Sequence, residues 1–309
     1  MEPLLPEVTP PPAATAEAVL AAITTAAPVH LGRFAELSAW VGAVQARASA
    51  VPFVSPRLVV FRPTDVPHEP PPQQNPVRHV LESTQHVNLL EAAYPTSAAV
   101  GNPGAVSQDA APADDEVIAA QDLGAEVADR CIDEGSDLLL LGHADPSPDV
   151  GIAATLGHLL SLAPHEALGQ PSGLSDEAWM VRLMAVRDAL HEARSCPREP
   201  RPILGRLGQV GLAALTGFLV TSATRGVPVV LDGPATTTAA ILAERLHPGA
   251  SAWWVSGQLG SSAAQRAALA ELEMEPLLRL GVDSDDGTGA LLALPILRLA
   301  GDLLDADQR

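Results

Sequence analysis

Four short apolar runs limit this chain more than any other feature: RLVVF at 57–61, DLLLLG at 137–142, VPVVLDG at 227–233 and AWWVSG at 252–257. Runs of this length and composition read as strands buried on both faces, and most are followed by Gly or Asp and then by helical periodicity. Alternating strands and helices need crossover connections. Right-handed crossovers lay the strands side by side in a mainly parallel sheet with helices on both faces, an α/β fold. Ligands of such sheets bind beyond the carboxyl ends of the strands. The candidate site therefore comprises the loops after Phe61, Leu141, Leu231 and Val255.

Helical signals fill the intervals. Thr15 is a candidate N-cap for a helix running to Ala27, and Leu31, Phe34, Leu37, Val41 and Val44 recur at helical spacing through a second helix ending near Ala48. Asp114 to Glu134 opens with acidic residues and ends just before Gly135. The first strand is expected to end before Pro63, and residues 62–76 form a Pro-rich loop too long for a tight connection. Residues 1–14 are Pro-rich and are expected to be a disordered tail that does not pack. The uncharged stretch Leu207 to Thr224 reads as a buried helix, not as a membrane span, because Gly, Gln, Thr and Ser interrupt it.

Composition narrows the function classes. With 47% hydrophobic but only 3% aromatic residues, the core must come from Ala, Leu and Val. A net charge of −19 repels nucleic acid and anionic lipid, so neither is an expected partner. All 18 basic residues are Arg, which excludes a Schiff-base lysine and a P-loop lysine. Two cysteines, Cys131 and Cys196, with no basic-then-apolar leader at the N-terminus, fit a reducing cytoplasm. The nine His show no dense ligand spacing, so neither a metal nor another cofactor is expected.

Two segments combine carboxylates with glycines. Asp283-Ser-Asp-Asp-Gly-Thr-Gly289 precedes an apolar helix over 290–304, and Asp149-Val-Gly-Ile-Ala-Ala-Thr155 follows the 137–142 strand after a short loop. Either is satisfied by an ordinary acidic helix cap. Either also offers a general base, or a helix N-terminus able to hold phosphate, at the ligand end of a strand.

These two segments, with others in the same order, resemble the nicotinate-nucleotide:dimethylbenzimidazole phosphoribosyltransferase family from about Leu31 to Leu304. GVPVVLDGPA at 226–235 is similar to the family's PVVLDG strand and turn, EPLLRLG at 275–281 to its EPLLxLG, and DGTGALLALPIL at 286–297 to its EGTGAALALPLL. Weaker likenesses are LGRFAEL at 31–37 with SLGRLEEL, DLLLLG at 137–142 with DLLGLGE, and GLSDE from Gly173 with GLDD, followed by Arg182 where the family has Lys. Three further departures are plain. Asp286 replaces the Glu of EGTG, Asp149 with Ala153-Ala154 is the nearest match to EMGIGNTT, and residues 63–67 lack the His and Gly of the family's GDHGV loop.

The resemblance implies a Rossmann-like sheet over 51–289 and a small helical part built from both chain ends, 15–50 and 290–309, working as a homodimer. It implies transfer of phosphoribose from nicotinate mononucleotide to 5,6-dimethylbenzimidazole in cobalamin assembly. By the same resemblance Asp286 and Asp149 are the catalytic candidates. Gly151, Ile152, Gly173, Leu174, Arg182, Asp232, Gly233, Gly287, Thr288 and Gly289 are the substrate-binding ones, with the donor's phosphate near Gly151 and Gly173. The substitutions leave open a non-catalytic relative that binds a nucleotide or a partner subunit, and a transferase with a different acceptor base.

Overall fold

The computed structural model describes residues 7–26, 30–64, 75–95, 114–145, 150–169, 174–207 and 209–305. In chain order these form helices α1 (Ala13–Ala26) and α2 (Arg33–Val44), strand β1 (Pro56–Pro63), α3 (Pro76–Gln85), β2 (Asn88–Tyr94), α4 (Asp114–Asp133) and β3 (Leu138–His143). Then come α5 (Val150–Leu160), α6 (Pro164–Leu168), α7 (Asp176–Ala193), α8 (Pro200–Arg206), α9 (Val210–Thr224), β4 (Val229–Asp232), α10 (Gly233–Leu246), β5 (Trp254–Gln258), α11 (Ala263–Glu271) and α12 (Thr288–Asp305). The sheet has five strands in the order β2-β1-β3-β4-β5, and every pairing is parallel.

Each of the four apolar runs contributes a strand to this sheet, as their composition predicts, although in the fourth Ala252 and Trp253 belong to a short 3-10 helix and the strand begins at Trp254. Residues 58–61 and 138–141 have no measurable exposure, which is what a strand covered on both faces requires. Side-chain alternation separates the two layers. Phe61 meets Phe218 of α9 edge to face, ring centroids 5.6 Å apart, while Leu58, of opposite parity, faces the turn before α12.

Three further features depart from the sequence reading in ways that have a physical reason. The edge strand β2 is not foreseen by it: NLLEAAY carries a central Glu91 and is only partly covered, so it lacks the apolar signature of the others. Glu91 is held by Arg62 at 3.2 Å and by Arg78. β1 runs through Pro63 instead of stopping before it. Its pairing with β3 ends at Phe61, and the next N–H, of Thr64, turns to Tyr94 of β2, so the N–H that Pro63 lacks falls where β3 has already finished. Lastly, the expected tail packs from residue 7 onward. Val8 is buried, the Thr9 carbonyl accepts from Trp253 Nε1 at 3.0 Å, and α1 starts at Ala13, with the Thr15 N–H already bonded to Pro12.

Two devices hold the layers. α4 and α9 touch backbone to backbone, because a Cβ on Gly124 would collide with the Ala214 carbonyl and one on Gly217 with the Gln121 carbonyl. On the other side α12 carries Pro295 in its interior. A proline there leaves the carbonyl four residues back, Leu291, without its helical donor. Gln85 Nε2 at the end of α3 supplies one at 2.9 Å, and Arg298 returns a bond to the Gln85 carbonyl at 3.1 Å, so α3 and α12 are tied together. Because α4 and α9 have no room for a methyl group, Gly217→Ala is expected to cost about 1–3 kcal/mol or more. A urea midpoint unchanged from wild type would show that the two helices separate freely.

Candidate active site

The strand order places a switch point between β1 and β3, from which the chain departs in opposite directions, and crevices for ligands open beyond the carboxyl ends at such points. At that edge lies the turn preceding α12. His143, the last residue of β3, donates its backbone N–H to the Asp285 carbonyl at 2.7 Å. The turn can sit so close because Gly142 of β3 and Gly257 of β5 have no side chains: a Cβ on either would strike the backbone of 286–287 or 289–290. Gly287 adopts φ 90°, where L side chains are strained, and a Cβ there would also meet Leu58. Gly233 is similar, with φ 82° and the Asp285 carboxylate against it.

Asp286 is buried, and four donors hold its carboxylate. Oδ1 accepts from the Thr288 hydroxyl at 2.7 Å and the Thr288 N–H at 3.2 Å. Oδ2 accepts from Asn75 Nδ2 at 3.0 Å and lies 3.4 Å from Arg78 Nη1. Asn75 is itself fixed as the N-cap of α3, its Oδ1 accepting from the N–H groups of Val77 and Arg78, with Pro76 pre-set for the first helical position. Arg78 is nearly inaccessible and also pairs with Glu82 at 3.0 Å. Burial raises the Glu82 carboxyl above its ordinary range, an effect that Arg78 opposes. Asp286 thus caps α12 and is joined to α3 at once.

Asp232 ends β4 under the first turn of α12. Its Oδ2 accepts the Gly289 N–H at 2.9 Å, and its Oδ1 has no partner among the described residues. A Cβ on Gly289 would collide with that oxygen, so glycine is needed there. Burial pushes the Asp232 carboxyl up to about 7, with the charge of Asp286 adding to the rise and the Gly289 N–H opposing it.

Gly233, Gly287, Thr288, Gly289, Asp232 and Asp286 are therefore brought together where the end of β4 meets the start of α12. Gly151 and Ile152 lie in the first turn of α5, where Gly151 is covered by Gln209, the N-cap of α9. Leu174 is half-buried just before α7. Arg182 is half-buried within α7 and makes no hydrogen bond or ion pair among the described residues. Asp149 and Gly173 lie outside the described residues.

Sequence reasoning missed Asn75, Arg78, Tyr94 and His143. The Asn-Pro pair at 75–76 carries a helix-start signal that the loop reading of 62–76 passes over, and nothing local tells that the same asparagine reaches a residue 211 positions away. Tyr94 and His143 form a polar pair at the ends of β2 and β3. The Tyr94 hydroxyl lies 2.8 Å from His143 Nε2 and donates to Asp145 Oδ2 at 3.1 Å, and the rings stack with centroids 5.8 Å apart.

A parallel sheet whose ligand edge gathers carboxylates, helix N-termini and glycine turns is a frame on which α/β proteins build small-molecule sites. A family model described as Phosphoribosyltransferase matches residues 85–308. A Mycobacterium avium protein named nicotinate-nucleotide:dimethylbenzimidazole phosphoribosyltransferase is 34% identical over 300 residues, covering 87% of this chain and 85% of that protein. A Corynebacterium glutamicum protein of the same name is 34% identical over 202 residues, covering 65% of this chain and 56% of that protein. The crystal structure of CobT from Thermus thermophilus superposes with a TM-score of 0.77 at 25% identity, covering 94% of this chain and 95% of that one. The chain belongs to the nicotinate-nucleotide:dimethylbenzimidazole phosphoribosyltransferase family. Among the described residues no helix is long and apolar enough to cross a membrane.

The raised Asp232 carboxyl has a sign that can be checked. A folded-state value near 7 against an ordinary 3.8 means that its contribution is fully present below about pH 4 and is lost as pH rises through 7. Between pH 4 and 8, wild type should lose more unfolding free energy than Asp232→Asn, by an amount on the order of a few kcal/mol at most. Parallel pH dependences for the two proteins in urea titrations would show that Asp232 does not titrate in this window.

Proposed function

We propose that this chain transfers phosphoribose from nicotinate mononucleotide to 5,6-dimethylbenzimidazole, giving α-ribazole 5′-phosphate and nicotinate, with Asp286 as the general base. The carboxylate of Asp286, suspended at the switch-point edge by Thr288, Asn75 and Arg78, is the observation that carries this reading. In the step itself one ring nitrogen of the acceptor attacks C1′. The bond from C1′ to the pyridinium nitrogen breaks, its electron pair stays on nicotinate, and the proton on the acceptor's other nitrogen passes to Asp286. Nicotinate leaves as a neutral ring nitrogen, so this leaving group needs no cation clamp. Negative charge from Asp286 and, when ionised, Asp232 would favour the positive character developing at C1′.

The four donors on Asp286 fill the lone-pair sites of a carboxylate, so the acceptor N–H must replace one of them. Arg78, at 3.4 Å, holds the weakest place. The backbone N–H groups opening α5 at Gly151 and Ile152 suit the donor's phosphate, since the net charge of −19 leaves a helix terminus as the local source of positive potential. Leu174 and Arg182, with Gly173, belong to the donor side on the family resemblance, and Asp149 is the second catalytic candidate. A homodimer in the cytoplasm, placed in cobalamin assembly, is the working form that family membership supports.

The same saturation of Asp286 favours a second reading, in which it is only a cap. An assay of nicotinate mononucleotide and dimethylbenzimidazole that follows product formation separates the two. General-base loss predicts that Asp286→Asn lowers the rate about 10²–10⁴-fold while the variant stays folded. Equal rates for wild type and variant would make Asp286 a structural residue.

A further inference from the structure

We infer that His143 is a substrate-binding residue whose Nδ1 accepts a hydrogen bond from a ribose hydroxyl of the nucleotide donor, with Tyr94 and Asp145 fixing the ring for that task. This rests on the donor assignment made above. The tautomer follows from counting hydrogens. Tyr94 has one hydroxyl hydrogen and gives it to Asp145 Oδ2 at 3.1 Å, so at 2.8 Å its oxygen accepts from Nε2–H of His143. Nδ1 then carries the lone pair, and it has no hydrogen-bond partner among the described residues. Burial lowers the His143 basicity and raises that of the Tyr94 phenolate, Asp145 adding to the second effect, so the pair stays neutral. A base oriented by a hydroxyl and a carboxylate, with its second nitrogen unused, is a pre-organised acceptor.

Its place in the fold selects the partner. His143 closes β3 at the switch point. On one side its backbone N–H is bonded to the Asp285 carbonyl, one residue from Asp286. On the other, Gly211 in the first turn of α9 packs on the Tyr94 hydroxyl and on His143 Nε2, while Gln209, capping the same helix, covers Gly151 at the start of α5. The strand end that carries the imidazole is therefore tied on one side to the turn of Asp286 and on the other, through α9, to the start of α5, which is assigned to phosphate. In a nucleotide the group between 5′-phosphate and C1′ is the ribose, which offers hydroxyl donors to an unpaired nitrogen.

The test is calorimetric binding of nicotinate mononucleotide and its 2′-deoxy and 3′-deoxy analogues to wild type and His143→Ala. His143→Ala should weaken the parent nucleotide about tenfold. One of the two analogues should bind wild type about tenfold more weakly and bind His143→Ala with no additional loss. Tyr94→Phe, which keeps the ring packing and removes the acceptor for Nε2–H, should give a smaller loss in the same direction and serves if the alanine variant does not fold. Affinity equal to wild type in the folded variants, or an equal loss for the parent and both analogues, overturns the assignment. If wild type binds no nicotinate mononucleotide, the donor reading falls and this inference with it. If wild type binds and turns over while the His143 and Tyr94 variants bind normally, only this inference falls.

Discussion

Asp232 is a carboxylate buried beneath the first turn of a helix, and the rest of the ligand edge is arranged around it. Its bond to the Gly289 N–H ties the end of β4 to the start of α12. That contact brings the 285–289 turn down onto the sheet, where glycines at 142 and 257 let backbone meet backbone and glycines at 287 and 289 leave room for the Leu58 and Asp232 side chains. Once the turn is down, Asp286 has little choice of direction, because Thr288 holds one oxygen and α3 supplies Asn75 and Arg78 for the other. A single buried acid with one oxygen unpaired among the described residues is costly. The cost is met by a helix N-terminus placed over the carboxylate, and the helix in turn gains, beside its local cap Asp286, a second acceptor for its first turn.

Much of this was legible beforehand, for physical reasons that can be named. Buried parallel strands announce themselves because both faces must be apolar, so β1, β3, β4 and β5 stood out, whereas the edge strand β2 needs Glu91 for its arginine partners and did not. The glycines and carboxylates of 283–289 were visible as a turn with chemistry in it. Invisible were the partners reached through tertiary structure. Asn75 reads in the sequence as part of the Pro-rich loop 62–76, whereas it caps α3 and its amide also serves Asp286. His143 and Tyr94 sit in strands separated by the whole of α4, and no periodicity relates them. Pro63 shows the complementary error, since a breaker is a breaker only where its missing N–H has a neighbour to disappoint.

The Asp for Glu exchange at 286 also looks different in three dimensions. The shorter side chain does not hang loose in a space sized for the longer one. It is enclosed by Asn75, Arg78 and Thr288, with Arg78 further braced by Glu82 and Glu91. The substitution and the surrounding polar residues form one unit, and changes at either should be strongly non-additive.

Pro295 has a consequence for how motion is shared. A perfect α12 would satisfy the Leu291 carbonyl by itself and would owe nothing to its neighbour. The proline makes the helix incomplete, and Gln85 completes it from outside while Arg298 fastens the end of α3 in return. The same two helices carry Asn75 and Arg78 at one start and Asp286 with Thr288 at the other. A flaw in one helix thereby becomes a fastening between two, so the residues meeting at Asp286 ride on a single coupled body and keep their mutual geometry.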